Sequence, residues 1–445
     1  MNFENIALKV PEILLPRKGT DLTRWAVVAC DQYTSQPDYW VRVEQFVGQS
    51  ASTFRLILPE AYLESSDKEK VGRKISTCMT EYLEEGILTP QNPGFILVDR
   101  RTSQTPSRKG LVVALDLEHY DFSAESKSLI RATEGTVLDR IPPRIHIRKD
   151  AVLEVPHIMV LIDDPEKTVI EPLFRKTLNK VYDVELMMNS GHVTGYIIDD
   201  KETIGEIAHN LERLADKDAF NKKYRVTNEE VLLYAMGDGN HSLATAKSLW
   251  KNIKEQAQNK DAIMQHPARY ALVELVNIHD EGLEFEPIHR AVFNIQAEDM
   301  LQAMQAFYEQ QGSQFSYTMS NNPEELHMLR EKSPGTHQIT FVSEKIYGIL
   351  SVNNPRLNLE VGTLQTFLDH YVQKKPEVKI DYIHGDDIVT DLGSQAGNMG
   401  FHLPAISKHD LFKTIIVDGA LPRKTFSMGN ADEKRFYLEC RKISQ

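Results

Sequence analysis

The residues most suited to binding a ligand or taking part in a reaction lie in one short segment, Gly237-Asp238-Gly239-Asn240-His241-Ser242. Glycine can adopt positive φ and lets a ligand approach the main chain closely. The carboxylate of Asp238 can hold a divalent cation, and His241 can donate to a phosphoryl oxygen or move a proton. The segment therefore predicts a phosphate site with Asp238 as its metal ligand. The phosphate contacts are assigned to Gly237, Gly239, Asn240 and Ser242.

The flanking pattern indicates how this segment is positioned. Residues 231–236 form an apolar run that is too short for a helix and is bounded by glycine, which predicts a buried strand. Beyond the turn, apolar residues recur at helical spacing, namely Leu243, Ala246, Trp250 and Ile253. The first-turn N–H groups of such a helix favour an anion. An ordinary corner with Asn240 or Ser242 as the helix cap explains the same residues equally well.

A second group of polar residues lies between residues 131 and 148. Arg131 and Arg140 carry planar guanidinium groups that match phosphate, and Glu134 offers a carboxylate that can act as a base. A surface ion-pair network is an equally good interpretation of these charges.

Two further basic segments lie later in the chain. His289 and Arg290 are adjacent and precede an apolar run, and Lys424 lies in a polar loop near the C-terminus. A His-Arg pair can bind an anion, although a lone pair of this kind is more often structural.

Composition limits the class of partner. The chain has 445 residues, of which 41% are hydrophobic and 26% charged, as in an ordinary globular protein. Its formal net charge of -13 disfavours nucleic acid or an anionic membrane surface as a partner. The sequence has no apolar run long enough to span a bilayer, and its cysteines lack metal or disulfide spacing. We expect a cytoplasmic protein that acts on a small molecule. Its oligomeric state stays open.

Strand-like and helical patterns alternate along the chain, which predicts an α/β to α+β fold with mixed β-sheets flanked by helices. We divide the chain into an N-terminal α/β region (1–160), a central α/β region with the glycine turn (161–295) and a C-terminal α/β region (296–445). One integrated unit is the alternative.

Several individual elements can be tested against the structure. Apolar runs at 95–98 and 111–117 predict a hairpin. Residues 166–182 are predicted to be helical, and residues 54–58 to form a strand.

Taken together, these motifs resemble the bacterial and archaeal family catalogued as domain of unknown function 1015. The resemblance rests on four segments in the order RATEGT (131–136), GDGNHS (237–242), PIHR (287–290) and LPRKTF (421–426). Members usually carry Asp-Gly-His-His-Arg in the second segment, where this chain has Asn240 and Ser242 in place of a histidine and the arginine.

The Asp-Gly-x-His part is also similar to the phosphate-contacting motif of the ParB/sulfiredoxin-like superfamily. That superfamily includes kinases that phosphorylate free serine. The resemblance implies a ParB/sulfiredoxin-like substructure and a bound nucleotide, with ATP or ADP and Mg²⁺ as the expected cofactors.

The sequence thus predicts a phosphotransferase that uses a nucleotide to phosphorylate a small hydroxylated or amino-acid-like metabolite. Glu134 is the expected base, and Asp238, His241 and Arg290 complete the catalytic set. His289 and Lys424, with Arg131 and Arg140, are expected to contact the phosphates. A phosphoester hydrolase such as a phosphoserine phosphatase, or a non-catalytic sensor of a nucleotide or metabolite, is the alternative.

Overall fold

The computed structural model describes residues 1–34, 36–63, 66–136, 141–322 and 334–444. Two compact units are present: residues 1–284 with 428–445, and residues 285–427.

This division differs from the three predicted regions because the chain returns to its first unit at the C-terminus. Phe436–Tyr437 pairs with Val27–Val28, and Arg441–Lys442 pairs with Leu153–Glu154, both antiparallel. Each of these strands is two residues long, and nothing in its sequence indicates the distant strand with which it pairs.

The first unit is built on a mixed sheet, as predicted. Leu8–Lys9 pairs with Arg108–Asp116 and with Asn2–Phe3 at its side. Neighbouring strands run both parallel and antiparallel. The order along the main path is Asn179–Glu185, His192–Ile198, Phe95–Arg101, Arg108–Asp116, Tyr270–Asn277, Met159–Ile162, Tyr234–Asp238, Ile130–Arg131 and Tyr120–Asp121.

Apolar side chains pack on both faces of this sheet. One core cluster contains Val160 and Trp250, and another contains Val112 and Trp25, all fully buried. Leu14–Pro16 and Leu88–Pro90 form a small separate pair. The described α-helices of this unit are Leu22–Trp25, Pro37–Val47, Lys68–Glu84, Ile141–Arg148, Lys201–Leu214, Lys217–Tyr224 and Asn240–Gln256.

The predicted hairpin is confirmed, with Phe95–Arg101 antiparallel to Arg108–Asp116. The predicted helix at 166–182 is wrong. A 3-10 turn at Glu171–Arg175 is followed there by the strand Asn179–Glu185, in which burial alternates along the chain. Pairing with a neighbouring strand outweighs the weak helical pattern in that segment. The predicted strand at 54–58 is also wrong, because Ser52 Oγ accepts from Phe54 N and starts a 3-10 turn.

The second unit contains an antiparallel sheet. Its strand order is Gln314–Ser320, Ile346–Asn353, Thr336–Ser343, Asn398–His402, His289–Phe293 and Lys379–Ile383. Its described α-helices are Ala297–Gln310, Glu360–Lys374, Asp386–Gly393 and Lys408–Val417. A short pair, Glu286–Pro287 with Phe426–Ser427, joins its two ends. Within the described residues of the whole chain, none of the helices has the length and apolar character to cross a bilayer.

Candidate functional site

The glycine turn is tighter than the sequence suggested. The strand Tyr234–Asp238 is separated from the helix Asn240–Gln256 by Gly239 alone. Gly239 has φ 80°, and a Cβ there would lie 3.1 Å from Ile158 Cα. Both the backbone conformation and the space therefore require glycine at this position.

Gly237 serves a different purpose from the one predicted. It belongs to the strand and keeps ordinary extended conformation, so positive φ is not its role. A Cβ at Gly237 would lie 2.9 Å from Met428 Cε and 3.2 Å from the Met159 carbonyl oxygen. Its missing side chain lets neighbouring segments pack closely behind the turn.

Asn240, His241 and Ser242 form the first turn of the helix and not a preceding loop. The cap position is Gly239, which has no side chain with which to cap. Ser242 Oγ lies 3.0 Å from His157 Nε2, and Asn240 Oδ1 is buried and meets no hydrogen-bond partner among the described residues. The interpretation of Asn240 or Ser242 as the helix cap is therefore wrong. Gly239 makes no side-chain cap hydrogen bond, and the helix dipole places partial positive charge at this first turn.

Asp238, at the end of the strand, is held by a cation from the C-terminal segment. Its Oδ2 lies 3.2 Å from Lys434 Nζ, and its Oδ1 accepts from Gly239 N at 2.9 Å. Burial opposes ionisation of this carboxyl, but Lys434 and His157 outweigh it and lower the pKa of Asp238. Asp238 is thus a paired carboxylate. A metal ion at its Oδ2 would share that oxygen with Lys434, and metal ligation by Asp238 stays a prediction.

His157 reaches the helix start because of the strand register. Met159 is paired with Asp238 in antiparallel register, so His157 precedes that pair by two residues at the same edge. Its Nδ1 lies 2.8 Å from Tyr437 Oη, which in turn accepts from Cys30 N at 3.0 Å. His157 is 7% exposed. The ring is therefore fixed between the helix start and the C-terminal segment.

Glu134 lies near the same edge of the sheet. Ile130–Arg131 is parallel to Tyr234–Asp238, with Ala235 opposite Arg131. This strand ends at Arg131, and Glu134 follows three residues later, after a bend at Thr133. Its place in the chain beside the strand Tyr234–Asp238 keeps it a candidate for the site.

Of the two arginines predicted to contact phosphate beside Glu134, the structure describes only Arg131. Arg131 is buried, and its guanidinium donates to the carbonyl oxygens of Ser128 at 2.8 Å and Glu230 at 2.7 Å. Burial lowers the pKa of Arg131. These bonds favour a structural role over a phosphate contact. Arg140 lies outside the described residues.

In the second unit, Arg290 is fully buried and its donors are occupied. It donates to Gln365 Oε1 at 2.7 Å and to the Ile288 carbonyl oxygen at 2.6 Å, and it stacks 4.6 Å from the ring centre of Tyr382. These contacts favour a structural role over the predicted catalytic one. Lys424, in the same unit, is exposed and has φ 58°.

The strongest metal-like cluster among the described residues is His289, Asp386 and His402, whose ligand atoms lie within 4.8 Å of one another. However, His289 Nδ1 accepts from Leu403 N at 3.1 Å, so the ring proton must lie on Nε2, which faces Asp386 Oδ1 at 3.4 Å. A metal needs that nitrogen without its proton. His402 Nδ1 also lies 2.9 Å from Asp386 Oδ1. The geometry is that of a hydrogen-bonded network.

The charge of His289 agrees with this description. Burial lowers its pKa to about 4, against the attraction of Asp386. His289 is therefore a neutral side chain at neutral pH, and it offers an incoming phosphate no positive charge.

The structure thus brings part of the predicted site together. The glycine segment lies at one edge of the first sheet, and Glu134 follows a strand that pairs beside it. His289, Arg290 and Lys424 belong to the second unit. Sequence reasoning missed His157, Lys434 and Tyr437. His157 directly follows Pro156 at the start of an apolar run, which is a usable signal. Lys434 and Tyr437 depend on the return of the C-terminal segment.

Comparison with known proteins places this sequence in a family. The sequence model of the family described as protein of unknown function, DUF1015, matches residues 14–371. The chain belongs to this family. No curated protein sequence matches the chain.

Solved structures that are similar to the chain include a mutant free serine kinase in complex with ADP. That structure is 9% identical, with 75% of this chain and 92% of that chain covered and a TM-score of 0.38. A conserved hypothetical protein from Pyrococcus furiosus is 11% identical, with 75% and 95% covered and a TM-score of 0.35. SbnI from Staphylococcus aureus, with a C-terminal truncation, is 9% identical, with 72% and 82% covered and a TM-score of 0.34.

Proposed function

We propose that this protein is a phosphotransferase that holds nucleotide phosphates at the start of the helix Asn240–Gln256. It would transfer a phosphoryl group to a small hydroxylated or amino-acid-like metabolite. The observation that carries the proposal is the meeting of an uncapped helix start with Lys434, across a turn that contains only glycine between strand and helix.

Each part of this arrangement suits an anion. The first-turn N–H groups and the helix dipole favour negative charge. Lys434 brings an ammonium group to the same edge, where it is paired with Asp238 and would turn toward a bound phosphate. His241 in the first turn is the predicted donor to a phosphoryl oxygen. Phosphoryl transfer requires mainly positioning and charge stabilisation, which fixed donors of this kind supply.

The chemical step can be written with the residues at this edge. The acceptor hydroxyl oxygen bonds to the terminal phosphorus of ATP or ADP, and the bond from that phosphorus to the bridging oxygen breaks. The hydroxyl proton passes to Glu134, and the shortened nucleotide leaves. Mg²⁺, when bound, would neutralise phosphate charge, and Asp238 is the residue predicted to hold it.

Nucleotide binding is the first test. The melting temperature of the purified chain should rise with Mg-ATP or Mg-ADP, and the rise should shrink in His241→Ala. His209→Ala, at an exposed histidine on another helix, is the matched control and should bind as the parent does. The proposal is contradicted if neither nucleotide raises the melting temperature, or if His241→Ala binds as well as the parent.

Product analysis separates the alternatives. Consumption of ATP or ADP that depends on an added hydroxyl compound, with a new phosphomonoester in the ³¹P spectrum, supports a kinase. Phosphate release from phosphoserine without nucleotide would show a hydrolase instead. Nucleotide binding without any turnover would show a sensor.

A further inference from the structure

A cavity of about 150 Å³ lies in the first unit beside the start of the helix Asn240–Gln256. Ser242, Thr245 and His157 line one end of it. Most of the remaining wall is aliphatic. It includes Leu56, Ile75, Met79, Ile147, Leu153 and Leu272.

The charged residues in this wall are already paired with one another. Arg144 forms an ion pair with Glu60, and Arg148 Nη2 lies 2.6 Å from Glu154 Oε2. Glu154 also accepts from Arg441 Nε at 2.7 Å. These arginines lower the pKa of Glu154 even though burial opposes its ionisation. The two arginines and two glutamates of the wall cancel in charge, so the wall as a whole favours an uncharged ligand body. Arg148 Nε is buried and meets no hydrogen-bond partner among the described residues, so it can donate to a neutral polar group.

The polar end of the cavity offers a hydrogen-bond acceptor. Ser242 Oγ and His157 Nε2 share one hydrogen bond at 3.0 Å. Whichever of the two atoms donates, the hydroxyl oxygen of Ser242 keeps a lone pair, because a hydroxyl has one donor and two acceptor positions. Tyr437 fixes the far side of the His157 ring. A hydroxyl group placed here can therefore donate to Ser242.

We propose that this cavity binds an uncharged alcohol with an apolar body, whose hydroxyl donates to Ser242 Oγ. The ligand of this cavity would be an apolar alcohol and not a compact, charged amino acid such as L-serine. The inference concerns binding in this cavity and goes beyond the proposed phosphoryl transfer. Apolar walls with one or two placed polar groups are the usual form of a small-molecule site.

The test uses the full chain without nucleotide and isoamyl alcohol as the probe. Binding is followed by calorimetry and by saturation-transfer NMR, with L-serine and glycerol as polar comparisons. We expect isoamyl alcohol to bind and the two polar compounds to bind more weakly. Binding of L-serine as tight as that of isoamyl alcohol would overturn the inference.

Two variants locate the ligand. Ser242→Ala removes the acceptor and should weaken binding roughly threefold to tenfold, the usual value of one hydrogen bond. Ala151→Phe places a ring in the cavity, because Ala151 lines it, and should abolish binding. Ser248→Ala, on the same helix but outside the cavity wall, is the matched control and should bind as the parent does. Unchanged binding in both Ser242→Ala and Ala151→Phe would contradict the assignment.

The two proposals fail separately. If isoamyl alcohol binds but no nucleotide does, the cavity assignment stands and the phosphotransferase proposal fails. If L-serine is phosphorylated while isoamyl alcohol neither binds nor reacts, the phosphotransferase proposal stands and the cavity assignment fails.

Discussion

The two units of the chain each contain an aspartate close to a histidine, but the two sites differ in what their polar atoms already bind. In the first unit, Asp238 pairs with Lys434 at an uncapped helix start. In the second, Asp386 is 76% exposed and lies between His289 and His402.

The difference shows that a motif residue is defined by its bonds and not by its type alone. The donors of Arg290 are occupied by an amide and by carbonyl oxygens, and His289 is neutral. The positive charge beside Asp238 comes from Lys434, which is outside every motif named in the sequence. We therefore assign the proposed phosphate site to the first unit and describe the cluster in the second as a hydrogen-bonded network.

The largest expected effect is on stability, at Arg290. Arg290→Ala leaves Gln365 Oε1 and buried carbonyl oxygens without a donor, which should lower the free energy of unfolding by about 3–5 kcal/mol. Urea unfolding measures this. Arg356→Ala, at an exposed arginine in the same unit, is the control and should cost less than about 1 kcal/mol. Similar small losses in both variants would show that Arg290 is not structural.

The second effect is a pH dependence from His289. Its folded pKa of about 4 lies below the ordinary value of 6.5, so the unfolded chain binds the proton more readily. His289 makes its full contribution to stability at pH values above its ordinary pKa of 6.5, and this contribution is lost as the pH falls from 6.5 toward 4. It should amount to about 3 kcal/mol.

His289→Asn keeps an acceptor for Leu403 N but does not titrate. Urea unfolding between pH 6.5 and pH 4 should therefore show a smaller loss of stability for the variant than for the parent.

Asp238→Asn should change the dependence of stability on pH only at lower pH. The pKa of Asp238 lies below its ordinary value of 3.8, so its contribution is lost only as the pH falls through that lowered pKa. Parallel curves for the parent and His289→Asn would contradict the description of His289.

The third effect is on ligand affinity in the first unit. Lys434→Met removes the charge beside the helix start and should weaken Mg-ADP binding roughly tenfold to a hundredfold, the value of a hydrogen bond to a charged group. Calorimetry measures this. Lys442→Met, at an exposed lysine of the same C-terminal segment, should leave the affinity unchanged. Equal affinities for Lys434→Met and the parent would remove Lys434 from the site.

The smallest expected effect is that of added Zn²⁺. Because His289 Nδ1 accepts from Leu403 N, the cluster with Asp386 and His402 should not bind the ion, and the melting temperature should not rise. A rise that disappears in His402→Ala would show a metal site in the second unit.

The sequence predicts the class of fold and several elements because apolar periodicity is a local property. The hairpin follows from it, and so does the strand before the glycine segment, although that strand covers Tyr234–Asp238 and not the predicted residues 231–236. The position of Gly239 alone between strand and helix could not be predicted, because the helical pattern became visible only from Leu243 onward.

The neighbours of Asp238 could not be predicted for a different reason. Lys434 reaches it because Phe436–Tyr437 pairs with Val27–Val28, far away in the chain. His157 reaches the helix start because Met159 is paired with Asp238 in antiparallel register. A shift of this pairing by one residue would turn the side chain of His157 to the other face of the sheet. Contacts of this kind depend on tertiary pairing and not on spacing in the sequence.

The central claim is that phosphate binds where Asp238, Lys434 and the helix Asn240–Gln256 meet. A crystal structure of the full chain with Mg-ADP tests it most directly. We predict phosphate oxygens within hydrogen-bond distance of the first-turn N–H groups and of Lys434 Nζ. Phosphates bound at His289 and Asp386, or anywhere else away from this helix start, would contradict it.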